Sequence, residues 1–232
     1  MEQQQQKRRV SQSGFSLLEL LIGMAVTLVI MTLAMTLVAG AFSIRARENQ
    51  RSDALVDAQR ALTYLSRDIA NSGFGLRNNG IVEADSGLST IRLRANLNAF
   101  MRQTTSQVTS DADEDVQYRL VTDVAGEFSY IVRLDVNTNN QTTILANRID
   151  GLRIRYYPLK VSYTPDPAAN ACDISSVSAP EVAQKKDARY VVITLCVNLP
   201  QRGTPGSAGF QPASRVRLIS DVVLRNADLA AY

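Results

Sequence analysis

The apolar run from Phe15 to Ala39 constrains this chain more than any other feature: 25 residues in which Glu19 is the only charged side chain. At about 1.5 Å per residue, a helix of that length reaches roughly 37 Å, enough to cross a hydrocarbon core with some tilt. Ahead of it lies a polar stretch, Met1 to Ser13, with Lys7, Arg8 and Arg9 close to the apolar segment. That charge pattern holds an N-terminus on the cytoplasmic side and predicts that the rest of the chain sits outside. A carboxylate in such a span is expensive unless it finds a partner, so Glu19 is a candidate functional residue.

The helix is predicted to continue past the apolar run. Ser43 to Ser72 holds neither Gly nor Pro, and Leu55, Ala58, Leu62, Leu65 and Ile69 recur at the three-and-four spacing of an amphipathic helix. That stripe should lie on a sheet. Arg45, Arg47, Arg51, Arg60 and Arg67, interleaved with Glu48, Asp53, Asp57 and Asp68, read as the solvated face. Gly73-Phe74-Gly75 supplies the stop, because glycine accepts the left-handed conformation that ends a helix.

Beyond that stop the chain reads as strands: Thr90 to Ala95, Val116 to Thr122, Phe128 to Asp135, Thr142 to Ala146, Leu152 to Tyr157, Ala188 to Asn198 and Arg215 to Arg225. Several alternate apolar residues with arginines, as in Leu152-Arg153-Ile154-Arg155-Tyr156, which gives each strand one buried face. Turn signals such as Asn78-Asn79-Gly80 and Asp150-Gly151 separate them and favour antiparallel pairing. The stretches Ser162 to Lys186 and Pro200 to Pro212 are rich in Pro and small residues and read as surface loops. Together these segments predict an α+β fold in which a long N-terminal helix packs on an antiparallel β-sheet head.

Roughly 200 residues beyond the span are enough for one sizeable core. The net charge of +3 resides largely in Lys7, Arg8 and Arg9 of the leader, so no dedicated nucleic-acid site is evident. Cys172 and Cys196 are the only cysteines. With the head outside the cytoplasm, a disulfide between them is the default reading, and a buried reduced Cys196 with a free Cys172 is the alternative. The chain has no histidine, which removes Ser-His and Cys-His nucleophile pairs and the commonest metal ligand. No phosphate-binding or dinucleotide fingerprint occurs, so no cofactor is implied. Asp111, Asp113 and Asp115 alternate in an acidic cluster that could offer oxygens to calcium, but the glycine turn and distal glutamate of a helix-loop-helix site are missing. The ordinary reading is a solvated turn, with no metal.

The junction Gly14-Phe15-Ser16-Leu17-Leu18-Glu19, behind a basic leader and ahead of a long apolar span, resembles the class III leader and processing site of type IV pilins and type II secretion pseudopilins. The resemblance implies cleavage after Gly14 by a prepilin peptidase, N-methylation of Phe15, and the pilin fold. It implies residues 1–14 as leader, 15–39 as transmembrane and assembly helix, 40–75 as its amphipathic continuation and 76–232 as a periplasmic head. A freed Phe15 amine would offer Glu19, one turn deeper, a cation to pair with, making Phe15 and Glu19 the assembly residues. The alternative is that Glu19 snorkels to the interface.

Leu65-Ser66-Arg67-Asp68-Ile69-Ala70-Asn71-Ser72-Gly73-Phe74-Gly75 resembles the end of the long helix in PilW-type minor pilins and, less closely, in J-type minor pseudopilins. The PilW resemblance implies a non-enzymatic subunit that helps initiate pilus assembly in a tip complex. Its partners would be other minor pilins and the major pilin, first in the inner membrane and then in the filament. Many major pilins carry a kinking proline near the position of Thr36, which departs from that pattern. Three further readings are an ordinary secretory site at Ala39-Gly40-Ala41, a twin-arginine signal at Arg8-Arg9, and an uncleaved anchor for an extracytoplasmic binding protein. The first two fit less well, because secretory apolar cores run roughly 7 to 15 residues and lack an acid.

Overall fold

The computed structural model describes residues 16–99, 109–124, 126, 129–138, 141–168, 171–207 and 210–227. One helix, α1 (Leu17–Asn71), runs for 55 residues, roughly 80 Å at the α-helical rise. Its N-terminal half is bare: the large apolar side chains from Leu17 to Ile44 are exposed. Its C-terminal half is inlaid in the head. Thr36 sits within the uninterrupted helix, its hydroxyl donating back to the Leu33 carbonyl at 2.8 Å.

The strands are β1 (Thr90–Arg94), β2 (Asp115–Thr122), β3 (Ser129–Asp135), β4 (Gln141–Asn147), β5 (Ile149–Tyr157), β6 (Thr164–Pro165), β7 (Ile174–Ser175), β8 (Tyr190–Leu199) and β9 (Ser214–Val223). All seven segments expected as strands are present, and Phe128 at the start of one lies outside the described residues. They form two antiparallel sheets, β1-β2-β3-β4 and β5-β8-β9, with β6-β7 as a separate ribbon. Between β4 and β5 only Arg148 intervenes, in the left-handed region at φ 61°, and there the chain passes from one sheet to the other. The helix packs against β4 of the first sheet and against β8 and β9 of the second. It therefore lies over the seam between them.

The buried stripe of α1 differs from the one read from spacing. Ala54, Ala58, Ala61, Leu65 and Ile69 are buried, whereas Leu55 and Leu62 are half-buried. Alanine carries nothing beyond Cβ, so these positions let the backbone lie close to the sheets while the leucines splay to the flanks. Leu65 and Ile69, fully removed from water, contribute about 1.5–3 kcal/mol each. The helix stops as expected: Gly73 has φ +78° and donates its N–H to the Arg94 carbonyl at 2.9 Å. Ser72 donates its hydroxyl to the carbonyls of Ile69 and Asn79, both at 2.8 Å.

The stretch from Ser162 to Lys186 is not a passive surface excursion. It carries β6 and β7, and its Ile174 joins Tyr157, Val161, Tyr190 and Val192 in a second buried cluster on the far side of β8. Strand β8 is consequently buried on both faces. Its opposite face, with Val191, Ile193, Leu195 and Val197, belongs to the main core under α1.

Candidate assembly helix and its attachment to the head

Gly14 and Phe15, the expected processing residues, lie outside the described residues. Glu19 stands in the first turn of α1, exposed, its N–H donating to the Ser16 carbonyl at 3.0 Å. The next charged residue along the helix is Arg45, roughly 39 Å away by helical rise. A cation for Glu19 must therefore come from the segment before Ser16 or from another chain. The polar groups between them are satisfied locally, for Thr27 and Thr32 return their hydroxyls to carbonyls one turn back. The bare half is long and apolar enough to cross a membrane.

Two of the polar attachments of the inlaid half involve residues expected on a solvated face. Arg47 is 7% exposed, and its guanidinium donates to the carbonyls of Pro200, Gln211 and Pro212 and to the Ser214 hydroxyl. It clamps the stretch from Pro200 to Pro212, itself closed by the Arg202–Gln211 bridge, onto the helix. At the other end, the Asp68 carboxylate accepts from the buried Tyr118 hydroxyl at 2.6 Å and from Arg133 at 3.2 Å. Neither is visible as a helical period, because both partners of α1 lie far along the chain. A sequence clue existed for Arg47 alone: the Pro-rich stretch offers carbonyls that no regular element consumes.

Cys172 and Cys196 are joined, with Cα atoms 5.9 Å apart. Their bridge ties the β6-β7 excursion to the outer face of β8. Gly151 on β5 makes room for it: a Cβ there would sit 2.6 Å from the Cys172 sulfur.

The acidic cluster is spread over several partners. Asp115 receives Arg92 at 2.7 Å and Arg94 at 2.8 Å, and Asp113 receives Arg133 at 2.7 Å. Asp111 accepts from Asn98. Among the described residues no group of three or more His, Cys, Asp or Glu side chains could hold a metal ion. Burial lifts the Asp115 carboxyl, and the hydrogen bonds and charges of Arg92 and Arg94 outweigh that lift and hold it below its ordinary value. These are the bonds of a braced turn.

A bare apolar helix continuous with one inlaid in antiparallel sheets defines an α+β, pilin-like subunit. The family model described as the prokaryotic N-terminal methylation motif matches residues 9–35, which supports a type IV pilin- or pseudopilin-like protein with a prepilin leader. That motif carries with it processing by a prepilin peptidase, membrane anchoring and a filament-assembly context. No curated protein and no solved structure was found to match the chain.

Proposed function

We propose that this chain is a minor pilin of the PilW type, cut after Gly14, methylated at Phe15, held in the inner membrane with its head periplasmic, and then built into a pilus. In that role residues 1–14 are lost and 15–39 become the packing helix of the filament. Glu19 receives the Phe15 amine of its own or a neighbouring subunit. The head, prefolded on the same helix, meets other minor pilins and the major pilin to start assembly. The observation that carries this reading is Glu19: an exposed carboxylate at the start of a bare apolar helix, with no cation within reach in the described chain, inside the methylation motif. A charge so placed needs a partner delivered by processing or assembly.

Intact-mass and N-terminal analysis of the protein from its native membrane tests the reading. A chain that begins at methylated Phe15 is expected. An N-terminus at Met1, or one following Ala41, overturns it. A bulky substitution such as Gly14→Leu should leave the leader attached.

A further inference from the structure

The end of the head nearest the bare helix gathers cations. Arg47 is nearly buried, yet among the described residues each of its acceptors is a neutral oxygen. A guanidinium keeps its proton in a protein, so this charge stands without a carboxylate to offset it. Arg47 lines a cleft of about 200 Å³ together with Gln50, Arg148 and Arg202. Arg45 and Arg51 are exposed on the adjoining turns of α1. Among the described residues no ion pair is formed by Arg45, Arg51, Arg148 or Arg202. Between Arg45 and Arg51 the helix offers a single acid, Glu48.

The height of this collar along the helix is informative. Phe42 and Ile44, 68% and 47% exposed, are the last large apolar side chains of the bare run. Arg47 follows Ile44 by three residues, about 4.5 Å of rise, and Arg51 by about 10 Å. The polar layer of each leaflet is roughly 5–8 Å deep, half the difference between a bilayer's full thickness and its hydrocarbon core. Helical side chains lean toward the N-terminus, which here means back toward the apolar run. The Arg47 clamp holds the loop bearing Arg202 at the same level, and Arg148 lines the same cleft.

We infer that this collar binds the phosphates of anionic phospholipids in the leaflet on which the head stands, with the cleft between Arg47, Arg148 and Arg202 receiving a headgroup. The inference rests on the membrane-anchored reading and adds a lipid class to it. Guanidinium groups without a carboxylate partner, Arg45 and Arg47 within that layer and Arg51 just beyond it, match a phosphate in charge and in hydrogen-bonding geometry. Leaving the membrane for a filament would then require the subunit to give up these headgroups.

The full chain, reconstituted into phosphatidylcholine vesicles with or without phosphatidylglycerol, separates the two readings. Flotation with both kinds of vesicle reports anchoring. Spin-labelled phosphatidylglycerol and phosphatidylcholine then report which lipid the protein retains at its boundary. We expect a severalfold preference for phosphatidylglycerol at low salt, weakened by salt and largely abolished when two of the arginines are removed. The variant is Arg148→Asn with Arg202→Gln, asparagine being chosen because it tolerates the positive φ at 148. It should float as the parent does. Flotation without lipid preference, or a preference unchanged in the variant, overturns the collar while leaving the anchor intact. A collar that instead crosslinks to Glu48 of a second copy, equally in both vesicles, also overturns it. Failure to float with either vesicle overturns the anchored reading and the collar together.

Discussion

The Tyr118 hydroxyl on β2 donates to Asp68 on α1 at 2.6 Å, and Arg133 on β3 reaches both, at 3.1 Å to the hydroxyl and 3.2 Å to the carboxylate. Tyr118 is fully buried. Burial, and then the charge of Asp68, hold its phenol well above the ordinary value, so it stays a donor at any physiological pH. The triad fastens the last turns of the helix to the first sheet. Tyr118→Phe should cost about 1.5–3 kcal/mol, the net value of a buried hydrogen bond to a charged group. That is about 2–4 °C of thermal midpoint per kcal/mol for a chain of this size. An unchanged midpoint would show that Arg133 alone suffices for Asp68.

The arginine-braced acids set the response to acid. Burial raises the Asp173 carboxyl, and Arg155 together with the Ile174 N–H pulls it below its usual value, as Arg92 and Arg94 do for Asp115. Folded-state values below the unfolded ones mean stabilisation that is complete above about pH 4 and is lost as pH falls through the folded values. The urea midpoint should therefore be nearly flat from about pH 7 to 5 and decline below about pH 4. Asp115→Asn should cost about 1–2 kcal/mol at neutral pH, since Arg92 keeps Asp85 and the half-exposed Arg94 keeps water while both lose their buried carboxylate partner, and it should shallow the acid decline. A decline as steep as the parent's would place the acid sensitivity elsewhere.

Removal of the bridge should act locally. Cys172→Ser opens a loop between residues 24 apart in sequence, worth about 3 kcal/mol on the chain-entropy estimate. Hydrogen exchange should quicken across 162–186 more than in α1, because the bridge ties that ribbon to β8 while the helix is held by other contacts. Uniform quickening would mean that the second cluster, with Ile174 and Tyr190, cannot persist without the bridge. Gly151→Ala, which crowds the Cys172 sulfur, should lower the fraction of bridged protein seen by non-reducing mass spectrometry.

Glu19→Val removes a polar cost from the span, so membrane insertion should be unimpaired while recovery in sheared filaments falls at least tenfold. The measurement is the ratio of filament to membrane protein in quantitative immunoblots. Equal recovery would show that the carboxylate is dispensable for assembly.

The helix, its stop at Gly73 and the seven principal strands were legible because each obeys a local period or a local turn signal. The features that escaped depend on distance along the chain. The spacing that points to Leu55 and Leu62 fits a helix on one flat sheet. The real neighbour is a seam between two sheets, and there the smaller Ala54 and Ala61 make the closer contact. Arg47 and Asp68 look like members of a solvated face until Pro200, Pro212, Tyr118 and Arg133 arrive from far along the chain to meet them. Of the proposed assembly site, Gly14 and Phe15 lie outside the described residues, and for Glu19 the structure adds how far it lies from any other charge on its helix.

The unbroken course of α1 across the seam has a mechanical meaning. A head on a flexible stalk could swivel freely over a bilayer. Here the rod that carries the bare apolar half is the same rod laid over the seam between the two sheets, so on the membrane-anchored reading proposed above a change in its tilt would swing the whole head as a vane on a shaft. Traction on the lower half would fall as shear along the buried Ala54, Ala58 and Ala61, with the hydrogen bonds of Arg47 and Asp68 resisting at either end. If the proposed anchoring holds, the orientation in which the head meets its neighbours would be governed from within the membrane.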